Sequence, residues 1–328
     1  MRRSELERTM DMTIYKTFAF GLSLAAVAAL TLLPAQAAER IPDEYRINGF
    51  ALGCQAYTFN RFSAFEAIEK TAMAGGKVIE FYPGQKFSPD EANIKLDHNL
   101  DDEHVQKLKD KLDKHKIKPV NYGVVGLGST EESARKVFDF AKKMRMIAVT
   151  SEPDPKDMDM LEKLVKEYDI KLALHNHPKD SRYWNPNYVL EVVKDRDPRI
   201  GACADTGHWV RSGIKPMDAL KILEGRIISS HLKDLNIFER GGHDVPYGTG
   251  VSDIPAILNE FKRQGFDGNI SIEYEHNWEN SVPEVAQCIG FVRGYTEGQG
   301  GGKTDDKTAA TTQNTAADAS ASDVKKKS

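Results

Sequence analysis

Eight strand-like runs alternate with eight helix-like segments between residues 50 and 294, and few folds accommodate that order. The runs are FALGCQAYTF, KVIEFYP, KPVNYGVV, MIAVTSE, KLALHNH, IGACADTGH, IISSHLKD and NISIEYEH. Segments such as SAFEAIEKTAMAGG, TEESARKVFDFAKKM and DIPAILNEFKRQG fall between them, and VPEVAQCIGFVRG closes the series. In these segments apolar residues recur every three or four positions, as in Phe65, Ile68, Ala72 and in Val137, Phe140, Ala141, Met144, which predicts amphipathic helices. Ser63 and Glu66 fit a capping box, and Gly75-Gly76 fits a helix stop. The strand-like runs are continuously apolar, as parallel strands covered on both faces require. Eight such units in about 250 residues predict an α/β protein, a (β/α)8 TIM barrel in a single domain. An open doubly wound sheet is the alternative, but the chain has no Gly-rich dinucleotide loop.

The two ends of the 328-residue chain differ in character from this core. Lys16 precedes an apolar run that finishes at Ala35-Gln36-Ala37, which predicts a secretory signal over residues 1–37 with cleavage after Ala37. Translation is then expected to start at Met10 or Met12, and the product to be periplasmic or secreted, with no membrane contact after cleavage. An uncleaved anchor is the rival reading; Pro34 and the small-residue site argue against it. The stretch 297–328 has almost no large apolar side chain and is expected to be a disordered tail. The barrel is therefore expected over residues 38–296. Its three cysteines, Cys54, Cys203 and Cys288, have apolar neighbours and read as buried thiols. The net charge of −4 and the lack of a basic patch exclude a nucleic-acid partner.

Barrels of this kind carry their chemistry at the C-terminal ends of the strands. Polar residues gather there: Glu80 on the second run, Glu152 on the fourth, His175 and His177 on the fifth. Asp205 and His208 follow on the sixth, His231, Lys233 and Asp234 on the seventh, and Glu273, Glu275 and His276 on the eighth. Any one of these has a packing explanation, whereas four consecutive strands ending in acids and imidazoles point to a shared mouth. Carboxylate and imidazole without thiolate suit one divalent ion, Mn, Co, Zn or Mg. Trp184, Trp209 and Trp278 are candidates for a wall against a sugar ring, and Gln55 and Tyr57 for hydroxyl contacts. Gly248 and Gly250 in DVPYGTGVSDIP read as a rigid turn rather than a phosphate loop.

GACADTGHWVRSG, IISSHLKD, DVPYGTGVSDIPAIL and GNISIEYEH resemble the sugar phosphate isomerase/epimerase-like branch of the xylose-isomerase-like TIM barrels. The resemblance implies a metal held by Asp205, His231 and Glu273, with His208 at a substrate position beside His175 and Lys233. The family's first glutamate normally ends strand five, where this chain has His175 and His177. The fourth metal position therefore falls to Glu152 or His177. The implied chemistry is removal of a proton next to the carbonyl of a sugar or keto-sugar, with Glu273 or Glu152 as base. Return of a proton gives isomerisation or epimerisation. Loss of a β-substituent gives elimination, as in a dehydratase or a 3-keto-glycoside lyase, and HLKD is similar to the inosose dehydratase version. A non-catalytic sugar-binding barrel is the reading from a different class.

Overall fold

The structure is a computed structural model that describes residues 40–300, with side chains described through residue 295. The predicted signal segment and all but the start of the predicted tail lie outside the described residues. Eight parallel strands close into a ring in chain order: β1 (Ala51–Gln55), β2 (Val78–Phe81), β3 (Lys118–Tyr122), β4 (Ala148–Ser151), β5 (Lys171–His175), β6 (Ile200–Asp205), β7 (Ile227–Leu232) and β8 (Asn269–Ile272). Pairing of β8 back onto β1, from Ala51↔Asn269 to Cys54↔Ile272, completes it. This is the (β/α)8 barrel that the alternation predicts.

The helices are α1 (Ala64–Met73), α2 (Asp102–His115), α3 (Glu131–Lys143), α4 (Met158–Tyr168), α5 (Pro186–Val193), α6 (Thr206–Arg211), α7 (Pro216–Ile222), α8 (Ile254–Arg263) and α9 (Val282–Gly300). The starts of α1, α2, α3, α5, α6 and α8 are set by Ser63, Asp101, Thr130, Asn185, Asp205 and Asp253, whose side chains accept from N–H groups of the first turn. Ser63 and Glu66 form the expected capping box on α1, and Gly75 follows that helix at φ +91°. Ile68, Val137, Phe140 and Ala141 face the sheet from their helices and are buried there with Leu52, Ile79, Leu172 and Ile270. Each fully buried aliphatic or aromatic side chain contributes about 1.5–3 kcal/mol to this layer. No helix among the described residues is long and apolar enough to cross a membrane. All three cysteines are free and buried, and burial pushes the Cys54 thiol up to about 12.

Side chains alternate across a strand, so the face turned into the barrel repeats every second residue. Val78, Ala148, Ala173 and Cys203 form part of an apolar floor with Ile41, Val120 and Ile228. Two residues further along the same four strands stand Glu80, Thr150, His175 and Asp205, all buried. The barrel thus changes from hydrocarbon to ionisable groups within one strand repeat.

The helix α6 departs from the strand-and-turn reading of GACADTGHW. The strand ends at Asp205, whose Oδ1 accepts the backbone N–H of His208 at 2.7 Å and so caps a six-residue helix. Two short ribbons also interrupt the alternation: Gln85–Lys86 with Lys95–Leu96, and Asp234–Leu235 with Asp244–Val245.

Candidate active site

Asp205 is the centre of the mouth. Its backbone is clamped to the Asn176 side chain in both directions, at 2.8 and 2.9 Å, which fixes the end of β6 against the end of β5. With Oδ1 committed to the α6 cap, Oδ2 faces the barrel axis. There it accepts from the Lys233 ammonium at 2.9 Å and lies 3.7 Å from His175 Nε2, 3.6 Å from His208 Nε2 and 3.9 Å from His231 Nδ1. Lys233 is fully buried, and its other hydrogen bonds run to Glu273 Oε2 at 2.7 Å and Glu275 Oε2 at 3.1 Å. Gly207 makes room for that lysine: a Cβ there would stand 2.7 Å from the lysine stem.

The three central imidazoles differ in what holds their second nitrogen, and this sets which nitrogen carries the proton. His231 directs Nε2 at Glu80 Oε2, 3.0 Å away, and His175 directs Nδ1 at Glu152 Oε1, 3.3 Å away. A carboxylate only accepts, so each of these nitrogens carries hydrogen. The opposite atoms, His231 Nδ1 and His175 Nε2, are buried and have no hydrogen-bond partner. His208 is the reverse case. Arg211 Nη1 donates to its Nδ1 at 3.2 Å, so its proton belongs on Nε2, the atom facing Asp205. With His175 and His231 in the neutral form that a metal ligand needs, two lone pairs and one N–H would point into the same space.

Glu80 is the residue whose importance the sequence understates. It is completely buried, and besides His231 it accepts from Thr150 Oγ1 at 2.6 Å and Ser271 Oγ at 2.9 Å. Arg211 is a second: it ties His208 to Glu275 at 2.7 Å and to Asp244 at 3.0 Å. The strand-terminal position of Glu80 is legible in the sequence but its partners on three other strands are not, and Arg211 lies inside an unrecognised helix.

Electrostatics follow from packing charge in a dry place. Burial alone would raise the Asp205 carboxyl, but His208, Lys233 and His175 reverse this and hold it well below the usual range. Glu273 is likewise held low by Lys233 and His231 against the effect of burial. Burial disfavours a charged His175, yet Asp205 and Glu152 outweigh it and bring the imidazole up to about 9. Burial keeps His208 well below its ordinary value despite Asp205. Burial also pushes the Asp244 carboxyl up to about 7, while Lys233 and Arg211 oppose it.

Ligand atoms of His175, Asp205, His208 and Glu273 lie within 4.8 Å of one another, and those of Glu152, His175 and His177 form a second such group. His231 adjoins the first through Nδ1, 3.3 Å from Glu273 Oε2. Glu152 and His177, the residues expected at the fourth metal position, thus stand in the second group. They are hydrogen-bonded to each other, and His175 is the link between the groups. His177 lies beyond the end of β5 and is exposed at the rim.

Other candidates fall outside the centre. Trp209 is buried in the core and walls no sugar site. Trp184 sits under Lys179, 5.6 Å from its ring centre, and Gln55 is occupied by Gly123 O and the Tyr57 N–H. Tyr57 packs edge-on against Tyr82 and Trp278, at 5.2 and 5.8 Å, making an aromatic rim. The glycine turn wraps the carboxylate of Asp234, which accepts the N–H groups of Gly248, Gly250 and Ser252. A phosphate has no place there, as the turn reading expects.

Comparison with known proteins agrees with this architecture. Residues 156–293 match the family described as xylose isomerase-like TIM barrel. A crystal structure of an uncharacterised protein from Parabacteroides distasonis ATCC 8503 is 34% identical, with 75% of this chain covering 99% of that one at a TM-score of 0.62. A D-tagatose 3-epimerase-like protein is 20% identical, with 75% and 97% covered and a TM-score of 0.60, and shares the fold. The inosose dehydratase of Clostridium tetani (strain Massachusetts / E88) is 26% identical over 145 residues, or 39% of this chain and 48% of that enzyme, so the match spans about half the relative's length. Strand order, the polar mouth and the long match at 34% identity together establish that the chain belongs to the xylose isomerase-like TIM barrels.

Proposed function

We propose that this protein removes a proton from the carbon next to the carbonyl of a sugar or keto-sugar, with one divalent ion (Mn, Co, Zn or Mg) as cofactor. The observation that carries this reading is the pair of partnerless imidazole nitrogens, His175 Nε2 and His231 Nδ1, aimed at the oxygens of Asp205 and Glu273. Each imidazole is backed by a carboxylate on its far nitrogen, the arrangement that fixes a metal-ligating histidine. Two nitrogen and two oxygen donors suit a divalent ion with open positions. In this set His175 stands where the family's strand-five glutamate would be. Bound there, the ion would act as a Lewis acid on the carbonyl.

The chain's own residues supply the rest. Glu273 is the base: Lys233 and His231 engage its Oε2, and no described residue donates to Oε1. Glu152 is occupied with two imidazoles and orients His175. His208, kept neutral by burial and fixed by Arg211, offers Nε2–H to a substrate oxygen. Lys233 supports the negative charge that develops on enolisation.

Elimination is the outcome we favour. A two-carboxylate epimerase needs a second acid free to return the proton, and Glu152, the other candidate, is engaged by His175 and His177. Elimination needs only one carboxylate, because the proton that Glu273 takes from carbon can be handed on to the departing β-oxygen, which leaves as a hydroxyl compound while His208 Nε2–H keeps its hydrogen bond. The likeness to an inosose dehydratase supports the same outcome. Isomerisation or epimerisation follows from the same abstraction if the proton returns to carbon. The deciding experiment incubates metal-analysed protein in deuterated water with free and 3-keto sugars and follows the substrate carbon by NMR. An unsaturated ketone signifies elimination and deuterium at an inverted carbon signifies epimerisation. No exchange with any sugar by metal-loaded protein would sink the enzymatic reading in favour of a sugar-binding barrel.

A further inference from the structure

We propose that the substrate carries a second, uncharged and hydroxylated unit, and that this unit occupies a cavity beside the Glu152–His177 pair. The inference rests on the reading that a sugar carbonyl is handled at Asp205 and Glu273. The cavity, of about 430 Å³, lies between the loops that follow β3 and β4. Sites for small ligands typically measure about 300–1,000 Å³. Glu152 and His177 belong to both places: they line the cavity, and through His175 they reach Asp205. A lone sugar ring at the Asp205–Glu273 centre leaves this volume unused. A glycoside or disaccharide fills it.

The lining defines the chemistry of the occupant. Glu152, Asp154 and Asp157 line it with Lys156, and Asp154 is paired with Lys156 and with Arg182. The one ammonium of the described lining is thus already engaged by a carboxylate, which leaves a phosphate or carboxylate group no cation to bind. The same side chains, with the backbone around Gly126, form hydrogen bonds readily to vicinal hydroxyls. No Phe, Tyr or Trp is among the described residues lining it, so an aromatic substituent finds no stacking partner. The match is to a neutral sugar unit.

Gly126 gives a direct test, because a Cβ there would meet nothing within 4 Å and its backbone is outside the left-handed region. Gly126 lines the cavity, so Gly126→Trp adds a large side chain at its wall without straining the loop, and Gly126→Leu a smaller one. Calorimetric titration of the full chain with 3-ketoglucose, 3-ketomaltose and fructose 6-phosphate would measure the effect. Two added hydrogen bonds at about 1 kcal/mol each predict binding of 3-ketomaltose at least about tenfold tighter than 3-ketoglucose. The ratio should shrink with Gly126→Leu and approach one with Gly126→Trp, whose unchanged melting temperature would verify folding. A wild-type ratio near one, a ratio that survives Gly126→Trp, or tighter binding of fructose 6-phosphate would each overturn the subsite. Failure of every sugar to exchange hydrogen with solvent would instead refute the catalytic reading, while the binding ratio still decides the cavity.

Discussion

The floor and the mouth of this barrel are built on the same strands, two residues apart, and obey opposite rules. The floor joins Val78, Ala148, Ala173 and Cys203 in contacts without direction. The mouth places Glu80, Thr150, His175 and Asp205 one repeat higher, where almost every atom has an assigned partner. Hydrophobic contacts tolerate exchange of one small apolar group for another. A buried charge network does not, because removal of one member leaves its partners uncompensated. The difference teaches that stability and chemistry are separable here along a few ångströms of strand.

Four predictions would sharpen or break that contrast. The largest effect is expected on the proposed catalysis: Glu273→Gln keeps the shape of the proposed base but cannot take the proton, so solvent exchange should fall by about 10²–10⁴-fold. Metal content measured on the same sample separates that loss from a lost ligand; exchange at the wild-type rate would remove Glu273 from the role of base. Next, Lys233→Met strips the ammonium from three carboxylates and should destabilise the metal-free protein by about 3–5 kcal/mol. Added Mn²⁺ should restore much of that loss, since ion and ammonium serve the same two oxygens. Denaturant melts with and without Mn²⁺ would check this, and equal melts would show that no cation replaces the lysine.

The third effect depends on pH. In the metal-free protein the folded His175 imidazole is raised from 6.5 to about 9. Its stabilising contribution is therefore fully present below pH 6.5 and disappears as the pH rises through about 9. At 1.36 kcal/mol per pKa unit this amounts to at most about 3 kcal/mol, and metal uptake near pH 7.5 should release a proton. A melting temperature that stays flat over this interval in the presence of chelator would contradict it. The smallest effect belongs to the floor: Ile228→Val should cost about 0.5–1.5 kcal/mol and leave solvent exchange intact. A loss of exchange there would show that floor and mouth are coupled after all.

The barrel itself is legible in the sequence because each level of the pattern agrees: continuous apolar runs, amphipathic segments and caps such as Ser63–Glu66. The helix α6 is hidden because TGHWVR is short and continues an apolar strand, so its periodicity is lost in that run. The inward parity of KLALHNH is also readable, since Ala173, His175 and His177 share it. Where the strand stops is not, and the stop at His175 sends His177 to the rim. Which nitrogen of His175 and His231 is free was beyond reach, because Glu152 and Glu80 decide it from other strands. Site composition is local information, whereas protonation depends on neighbours far away in the chain.

Asp205 does two jobs with its two oxygens, and this limits how the protein could change over time. Oδ1 holds the start of α6, and Oδ2 carries the negative charge into the mouth. Asparagine would keep an oxygen for the helix and surrender the charge, so the fold would survive while the chemistry ceased. Alanine would lose both. On the proposed function, a lineage that abandoned catalysis but retained sugar recognition has one conservative exit at this position. An asparagine there in some descendant would be the signature of an enzyme turned receptor.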